Sequence, residues 1–394
     1  MPAPRHILPV IVFAQFCCTS IWFAGNAVLS DLVLTFNLPT SALGSLTSAI
    51  QLGFILGTLV FAVFSVADRI SPSRVFFMSA VAAALTNLAG IWVGNTLLTL
   101  LLSRLFTGFF LAGIYPVGMK VAADYFDKGL GQSLGFLVGA LVIGTAFPHL
   151  LRGVGSNFPW RIILVATSFI ALLGGLLLWR LVPDGPNRKA AKKIELSAFL
   201  RVFRDRAFRG AAFGYFGHMW ELYAFWAFVP IMLKTYQESS QWLGSVPLWS
   251  FTIIGIGGAG CVVGGYLSRR VGVKQVATVA LATSGICCLL FPLAFLFSGP
   301  FFLVFLMLWG LTVVADSPLF STLVAGSAPL ELKGTALTIV NCLGFAITIV
   351  SIQVLSLATE NFGVAWSLPL LALGPVLGLW GLKGARALVQ GGVK

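Results

Sequence analysis

The stretch VPDGPNRKAAKKIELSAFLRVFRDRAFRG, residues 182–210, is the longest connection between apolar runs in this chain. Its proline, glycine and charge content is typical of a linker between domains. The chain has 394 residues, of which 58% are hydrophobic and 9% are charged, and its mean hydropathy is +0.97. A soluble fold has too little interior for so many apolar side chains, so the sequence predicts a protein embedded in a lipid bilayer.

Twelve apolar runs flank this linker, and each has about the 20 residues that a helix needs to cross a bilayer. They do not alternate polar and apolar residues as barrel strands do. The sequence therefore predicts an all-α membrane protein, with an N-terminal six-helix bundle at 1–181, a cytoplasmic basic linker at 182–210 and a C-terminal six-helix bundle at 211–394. The predicted spans are 7–30, 41–67, 75–95, 97–121, 130–150, 159–181, 211–233, 246–268, 275–297, 300–323, 334–357 and 364–386.

The distribution of basic residues supports this count. With the N-terminus in the cytoplasm, 21 of the 25 Lys and Arg residues fall on the cytoplasmic side, three fall on the outer side and Arg104 falls inside a span. One omitted helix would reverse every later loop, so the asymmetry predicts a multi-pass protein of the plasma (cytoplasmic) membrane with both termini in the cytoplasm. The net charge of +13 then reflects topology and contact with anionic lipid, and we expect no nucleic-acid partner.

The two halves contain related segments, which indicates an internal repeat. The loop after the second span reads VADRISPSR (66–74), and the loop after the eighth reads GGYLSRRVGVK (264–274). The sixth and twelfth spans begin near NFPW (157–160) and NFGVAW (361–366). Two parallel six-helix repeats are typical of transporters in which two bundles rock against each other.

These segments resemble the major facilitator superfamily of secondary transporters. GGYLSRRVG is similar to that family's loop motif of Gly-Gly, a small residue, Asp-Arg and Gly, but Arg269 replaces the Asp, and Ser71 replaces a glycine in the first copy. RLFTGFFLAG (104–113) resembles the family's Arg-x-x-x-Gly motif, and the glycines of the fifth span partly resemble its antiporter motif. The resemblance implies a twelve-helix fold of two pseudo-symmetric bundles, a monomer that functions alone, and a conformational latch at the two loops. The candidate latch residues are Asp68, Arg69, Arg74, Gly264, Gly265, Arg269 and Arg270.

Asp68 lies at a cytoplasmic helix end in this prediction. We expect it to pair with Arg69 or Arg74, or to face the N-terminus of another helix. A solvated loop charge is the alternative.

Three charged side chains fall inside predicted spans: Arg104, Glu221 and Asp316. At a lipid-facing central position each would cost about 2.5–3.5 kcal/mol, so each should face the bundle interior or a watery cavity. At about 1.5 Å per residue, Glu221 lies near the midplane, Asp316 in the inner half and Arg104 in the outer half. These depths disfavour contact between Arg104 and Asp316 and allow contact between Arg104 and Glu221.

Glu221 and His218 share a helix face within FGHMWELYAFWAFVP (216–230), because they are three residues apart. Burial disfavours the charged form of both groups, so both are candidates to bind and release a proton near neutral pH. The structural alternative makes Glu221 a partner of Arg104 or of a buried tyrosine, and makes Asp316 a cap for a helix break at Pro318. The candidate walls of an organic substrate cavity are Trp220, Tyr223 and Trp226.

No cofactor or metal is expected. The six cysteines lack metal-ligand spacing and are interpreted as small buried hydrophobic residues, and the His-x-x-Glu pair has no second pair beside it. GxSxG and HExxH motifs are absent from the sequence, so the protein is predicted not to be an enzyme.

The function that these patterns favour is secondary active transport of a small molecule by alternating access, coupled to protons. A nucleotide-binding GxxxxGK[ST] loop is absent, which argues against ATP-driven pumping by this chain. The substrate is open between a small organic anion, which Arg104 would suit, and a lipophilic compound, which the aromatic residues would suit. The alternatives are an uncoupled facilitator, or a membrane receptor or scaffold on the same fold.

Overall fold

A computed structural model describes residues 4–39, 41–126, 130–155, 158–188, 201–240, 244–329 and 332–383. Over these ranges the regular secondary structure is helical, and every predicted span is largely helical. The middle of the linker and the last residues of the chain, which carry several of the basic residues used to predict topology, lie outside the described residues.

The chain forms two compact units. The first comprises Met1–Ala191 and Val229–Gly255, and the second comprises Lys192–Phe228 and Ile256–Lys394. The predicted domain division at 182–210 stays a prediction.

Ten helices precede the linker and belong to the first unit. The short helices among them are parts of interrupted spans, apart from one that lies in the loop after the second span. They are α1 (Ile7–Thr19), α2 (Ala24–Ala27), α3 (Leu29–Phe36), α4 (Ala42–Val63), α5 (Val66–Arg69), α6 (Pro72–Leu88), α7 (Leu97–Leu111), α8 (Tyr115–Tyr125), α9 (Leu130–Val154) and α10 (Arg161–Leu181).

Seven α-helices follow the linker in the described part of the chain. The C-terminal end of α11 and the start of α12 belong to the first unit, and the remainder belongs to the second. They are α11 (Arg206–Ser240), α12 (Val246–Val271), α13 (Val273–Ala294), α14 (Gly299–Ala315), α15 (Ser317–Ser327), α16 (Lys333–Ser367) and α17 (Leu373–Leu382).

Nine helices in the described part of the chain are long and apolar enough to cross a membrane. This number is smaller than the twelve predicted spans because some spans are broken, polar or merged with a neighbour. The first span is broken into α1, α2 and α3, and α11 is rich in aromatic and polar residues. The stretch Lys333–Leu382 counts once, although Gly363, with φ at 75°, interrupts its helical backbone between the eleventh and twelfth predicted spans.

Two other spans are interrupted where a proline opens the second helix. The fourth breaks between α7 and α8, and Pro116 follows the break. The tenth breaks at Asp316, and Pro318 lies in the first turn of α15. Proline lacks a backbone N–H and fits the first turn of a helix, where that N–H has no partner within the helix.

Glycine contacts bring helices together within each unit. In the second unit, a Cβ atom on Gly217 would lie 2.3 Å from the Gly374 carbonyl oxygen, and one on Gly260 would lie 2.4 Å from that of Leu311. These distances join α11 to α17 and α12 to α14. Lipid supplies no hydrophobic force between helices, so close backbone approach at small residues is what holds them.

Candidate functional site

The second unit contains a buried ionisable cluster, which three helices build. His218 and Glu221 lie one turn apart on α11, and Asp316 lies at the break between α14 and α15. Each of the three has at most 1% of its surface exposed. The structure thus brings together the three ionisable residues that the sequence selected in this half of the chain.

Glu221 accepts three hydrogen bonds. Trp309 Nε1 donates to Oε1 at 2.6 Å, and Cys288 Sγ donates to the same oxygen at 3.2 Å. Ser284 Oγ donates to Oε2 at 2.9 Å. An ionised carboxylate only accepts hydrogen bonds, so these three converging donors suit the charged form of Glu221.

Ser284 also suits the protonated form. Its hydroxyl lies 3.1 Å from the Leu281 carbonyl oxygen, which is a second acceptor for the hydroxyl proton. A hydroxyl both donates and accepts, so a protonated Glu221 can donate from Oε2 to Ser284 Oγ. Oε1 then keeps the bonds from Trp309 and Cys288, and both protonation states of Glu221 are satisfied by the same side chains.

Aromatic packing holds the Trp309 indole against Glu221. The Trp309 ring lies 4.7 Å from the Phe225 ring and 5.7 Å from the Phe291 ring, measured between centroids. All three side chains are fully buried. Water is therefore kept from the Oε1 side of Glu221, and charge interactions there are strengthened by the low local dielectric.

His218 and Asp316 form the second part of the cluster. His218 Nδ1 lies 2.8 Å from Asp316 Oδ1, and both side chains are fully buried. The contact is within ion-pair distance, but its angles are not those of a hydrogen bond, and His218 Nε2 and Asp316 Oδ2 have no hydrogen-bond partner among the described residues. Proton transfer between the two groups leaves the number of protons on the pair unchanged, whereas uptake of a second proton would leave both groups protonated.

Asp316 occupies the N-cap position of α15, but its side chain makes no capping hydrogen bond. The expected capping role is therefore wrong for the side chain, because the carboxylate turns to His218 instead. The backbone carbonyl of Asp316 does accept a hydrogen bond from the Phe320 N–H at 2.8 Å, which starts α15.

The three aromatic residues predicted to line a substrate cavity differ in their exposure and contacts. Trp220 is partly exposed, packs against Gly374 and donates its indole N–H to the Leu370 carbonyl at 3.3 Å. Tyr223 and Trp226 are buried and meet edge to face at 5.1 Å. Their contact with a substrate stays a prediction.

Arg104 lies in the first unit and is bound there by neutral oxygens. Its Nη1 donates at 3.4 Å to both the Ile21 carbonyl and Asn87 Oδ1, and its Nη2 donates to the Trp22 carbonyl. In the described part of the chain, no Asp or Glu oxygen lies within 4.0 Å of the guanidinium.

The first loop copy is an ionic cluster. Asp68 pairs with Lys120 of α8 at 2.9 Å. The expected pairing with Arg69 or Arg74 is wrong, because both of these side chains are exposed, and among the described residues it is Lys120 of α8 that lies within ion-pair distance of the carboxylate. Ser71, which stands in place of a motif glycine, donates its hydroxyl to Asp184 Oδ1 at 2.6 Å.

The start of the linker closes over this loop. Arg188 pairs with Asp184 and donates from Nη2 to the carbonyls of Asp68 at 2.9 Å and Ile70 at 3.1 Å. Tyr125 donates its hydroxyl to the Pro183 carbonyl at 2.6 Å.

Replacing Arg188 with glutamine should therefore loosen the loop. These contacts are partly exposed and worth about 1 kcal/mol at most, so we expect up to about fivefold faster hydrogen exchange of the amides at 68–70. Exchange mass spectrometry of the intact protein measures this, with Arg74→Gln as the exposed matched control. Equal exchange rates in the two variants would show that the contacts of Arg188 do not stabilise this loop.

The second loop copy differs from the first. A Cβ on Gly264 would lie 2.9 Å from the Ala315 carbonyl oxygen, whereas one on Gly265 would meet nothing within 4 Å. Arg269 lies over the Tyr266 ring at 5.5 Å, and Arg270 is exposed. Gly272 has a φ of 106°, a conformation that glycine adopts without strain. Their latch role stays a prediction.

Three residues at Glu221 were not selected from the sequence: Ser284, Cys288 and Trp309. The cysteines were interpreted as hydrophobic, and this description is incomplete for Cys288, which donates to Glu221. The spacing of these residues along their helices could have indicated all three. Ser284 and Cys288 are four residues apart, and Trp309 precedes Asp316 by seven, so each pair shares a helix face.

Metal-ligating side chains do not gather into groups of three or more anywhere in the described ranges.

Sequence comparisons relate this chain to a family and to curated proteins. A model of the family described as Major Facilitator Superfamily matches residues 11–352. The protein named "Uncharacterized transporter YgaY" of Escherichia coli O157:H7 is 25% identical over 245 residues, which are 57% of this chain and 60% of that protein. The inner membrane transport protein YnfM of Escherichia coli K12 is 25% identical over 134 residues, which are 33% of this chain and 31% of that protein. This chain thus spans less than two thirds of the length of these curated relatives.

Solved structures share the fold. The proton:xylose symporter XylE bound to 6-bromo-6-deoxy-D-glucose aligns with a TM-score of 0.76 at 15% identity, covering 97% of both chains. A bacterial homolog of the human lysosomal transporter Spinster, inward-facing and unoccupied, aligns with a TM-score of 0.72 at 14% identity, covering 98% of both. The predicted multi-pass, twelve-helix fold of two six-helix bundles is confirmed. Because the family match runs from residue 11 to residue 352, this chain belongs to the Major Facilitator Superfamily of membrane transporters.

Proposed function

We propose that this protein is a proton-coupled secondary transporter that moves a small molecule by alternating access. The observation that carries the proposal is the buried cluster of His218, Glu221 and Asp316 in the second unit. Ionisable residues inside a membrane protein are costly and mark ion or substrate pathways. We place the protein in the cytoplasmic membrane with both termini inside, working as a monomer on a small organic anion or a lipophilic compound.

The cluster supports proton binding because its members tolerate two protonation states. Ser284 serves both forms of Glu221, as its two acceptors show. His218 and Asp316 lie 2.8 Å apart, and uptake or release by this pair means a change in the number of protons that the two groups hold together. A group used for coupling must exchange its proton at modest cost in each state of the transport cycle, and the contacts of Glu221, His218 and Asp316 support that role.

Glu221→Gln tests coupling without disrupting the fold. Glutamine mimics the protonated acid: its oxygen can accept from Trp309 and Cys288, and its NH₂ can donate to Ser284 Oγ. We expect the free energy of unfolding to change by less than about 1 kcal/mol. Proton-driven accumulation should be lost, whereas exchange of substrate across the membrane should continue.

Glu221→Ala is the matched contrast. It leaves the Trp309 and Cys288 donors without their acceptor, which should destabilise the protein by about 1–3 kcal/mol for each buried group. Thermal denaturation of the two purified variants compares them. A glutamine variant as unstable as the alanine variant would contradict the hydrogen-bond arrangement.

Transport itself is tested in proteoliposomes. A thermal-shift screen of metabolites and lipophilic drugs, at one pH on each side of neutrality, selects a compound. Flux of this compound is then measured with and without an imposed pH gradient, while an internal dye reports proton movement. Flux without proton movement would make the protein a facilitator, and binding without flux would make it a receptor or scaffold.

A further inference from the structure

A small cavity beside Arg104 lies inside the first unit. Its volume is about 20 Å³, and Arg104, Asn87 and Ser103 line it together with leucines that include Leu32 and Leu100. One water molecule needs about 10–15 Å³ on such a measure, so the space admits a single small particle. The leucines belong to the apolar core that α2, α3, α4, α7 and α10 share.

The guanidinium at this cavity carries a charge that none of the described carboxylates neutralises by direct contact. Its three bonded partners are oxygens of neutral groups, those of Ile21, Trp22 and Asn87. No carboxylate in the described residues lies within 4.0 Å of it. Arg104 is only 6% exposed, and a buried charge is costly unless an opposite charge pairs with it.

Two N–H groups of Arg104 remain for a ligand. A guanidinium has five N–H donors, and the contacts to neutral oxygens use three of them. The Nε edge faces Gly25, which also lines the cavity. A Cβ at position 25 would lie 3.3 Å from Nε, so glycine keeps this edge open.

We propose that Arg104 and this cavity form a binding site for one small, singly charged anion, either a halide ion or the carboxylate of an organic acid. The positive charge and the two remaining donors select an anion. The cavity volume limits the anion to about the size of chloride or to one carboxylate group. The leucine walls disfavour a doubly charged anion, because removal of its water shell on burial costs more than for a singly charged one. The inference does not depend on proton coupling in the second unit.

The test is thermal denaturation of the purified protein at fixed pH and fixed sodium concentration, with chloride or acetate replacing sulfate, a doubly charged anion. We expect a melting temperature that rises and saturates with chloride, with acetate, or with both; chloride alone identifies a halide site, and acetate identifies a carboxylate site. Arg104→Gln should remove the saturable rise. A rise that never saturates, no rise, or an unchanged rise in Arg104→Gln would overturn the proposal.

A second pair of variants decides the question if Arg104→Gln does not fold. Gly25→Ala narrows the space at Nε and should raise the half-saturating anion concentration at least several-fold. Gly135→Ala, also in the first unit, adds a methyl group that meets nothing within 4 Å and should leave that concentration unchanged. Equal half-saturation in these two variants would overturn the proposal.

Discussion

Replacing Asp316 with asparagine is expected to abolish proton-driven accumulation of substrate while leaving substrate exchange intact. Asparagine keeps the shape of the side chain but removes the negative charge that lies 2.8 Å from His218 Nδ1. His218 then loses its only ion-pair partner among the described residues. An amide cannot take up a proton as a carboxylate does, so the pair loses one of its two proton-binding groups, and we expect this loss to remove the coupling.

The size of this effect follows from the driving force. A gradient of one pH unit is worth about 1.4 kcal/mol per proton, which supports about a tenfold concentration ratio when one proton is coupled to one substrate. We expect the ratio in the Asp316→Asn variant to fall to about one. Proteoliposomes with an imposed gradient measure accumulation, and counterflow without a gradient measures exchange.

Glu238→Gln is the matched control for this experiment. Glu238 is an acid on α11, the helix of His218, but its side chain is 67% exposed and lies 4.0 Å from Lys234. Exposed pairs of this kind contribute little, so its accumulation ratio should equal that of the unchanged protein. An Asp316→Asn variant that still accumulates substrate about tenfold would rule out the His218–Asp316 pair as the coupling site.

Gly53→Ala should destabilise the first unit by at least about 2 kcal/mol, because it forces overpacking between α4 and α7. A Cβ at position 53 would lie 1.8 Å from the Leu105 carbonyl oxygen, and one at Gly108 would lie 2.0 Å from that of Ile50. Backbone atoms cannot rotate away as a side chain can, so the two helices must separate. Separation loses close packing along a helix pair for which lipid offers no compensating hydrophobic force.

Thermal unfolding in detergent and the amount of folded protein in the membrane both report this loss. Gly135→Ala again supplies the control, since its new methyl group would meet no atom within 4 Å. If Gly53→Ala and Gly135→Ala unfold at the same temperature, α4 and α7 do not depend on this contact.

Periodicity, length and charge predict the helical fold because the bilayer sets the same requirement for every span. The breaks within spans were harder to predict from the sequence. Proline marks the break at Asp316, but the first span breaks after Thr19 with no proline between α1 and α2. There the turns depend on packing with other helices, which the sequence of the span does not contain.

The buried cluster was predictable only in part, again because the contacts between helices are not contained in the sequence of any one span. Charge in an apolar run identifies His218, Glu221 and Asp316 one by one, and helix spacing predicts that the first two share a face. The partners of each depend on how three helices rotate about their axes. The depth of each residue in the membrane therefore did not predict the contact between Asp316 and His218. Trp309 was not selected because aromatic residues are abundant in this chain and most of them are interpreted as packing.

Because the tenth span is interrupted at Asp316, α15 can tilt about this residue as a lever tilts about its fulcrum. Its 11 residues extend about 16 Å, so a tilt of about 10° at Asp316 would carry the far end through about 3 Å. A small adjustment at the fulcrum, such as the loss of attraction when an ion pair is neutralised, is thus magnified along the helix.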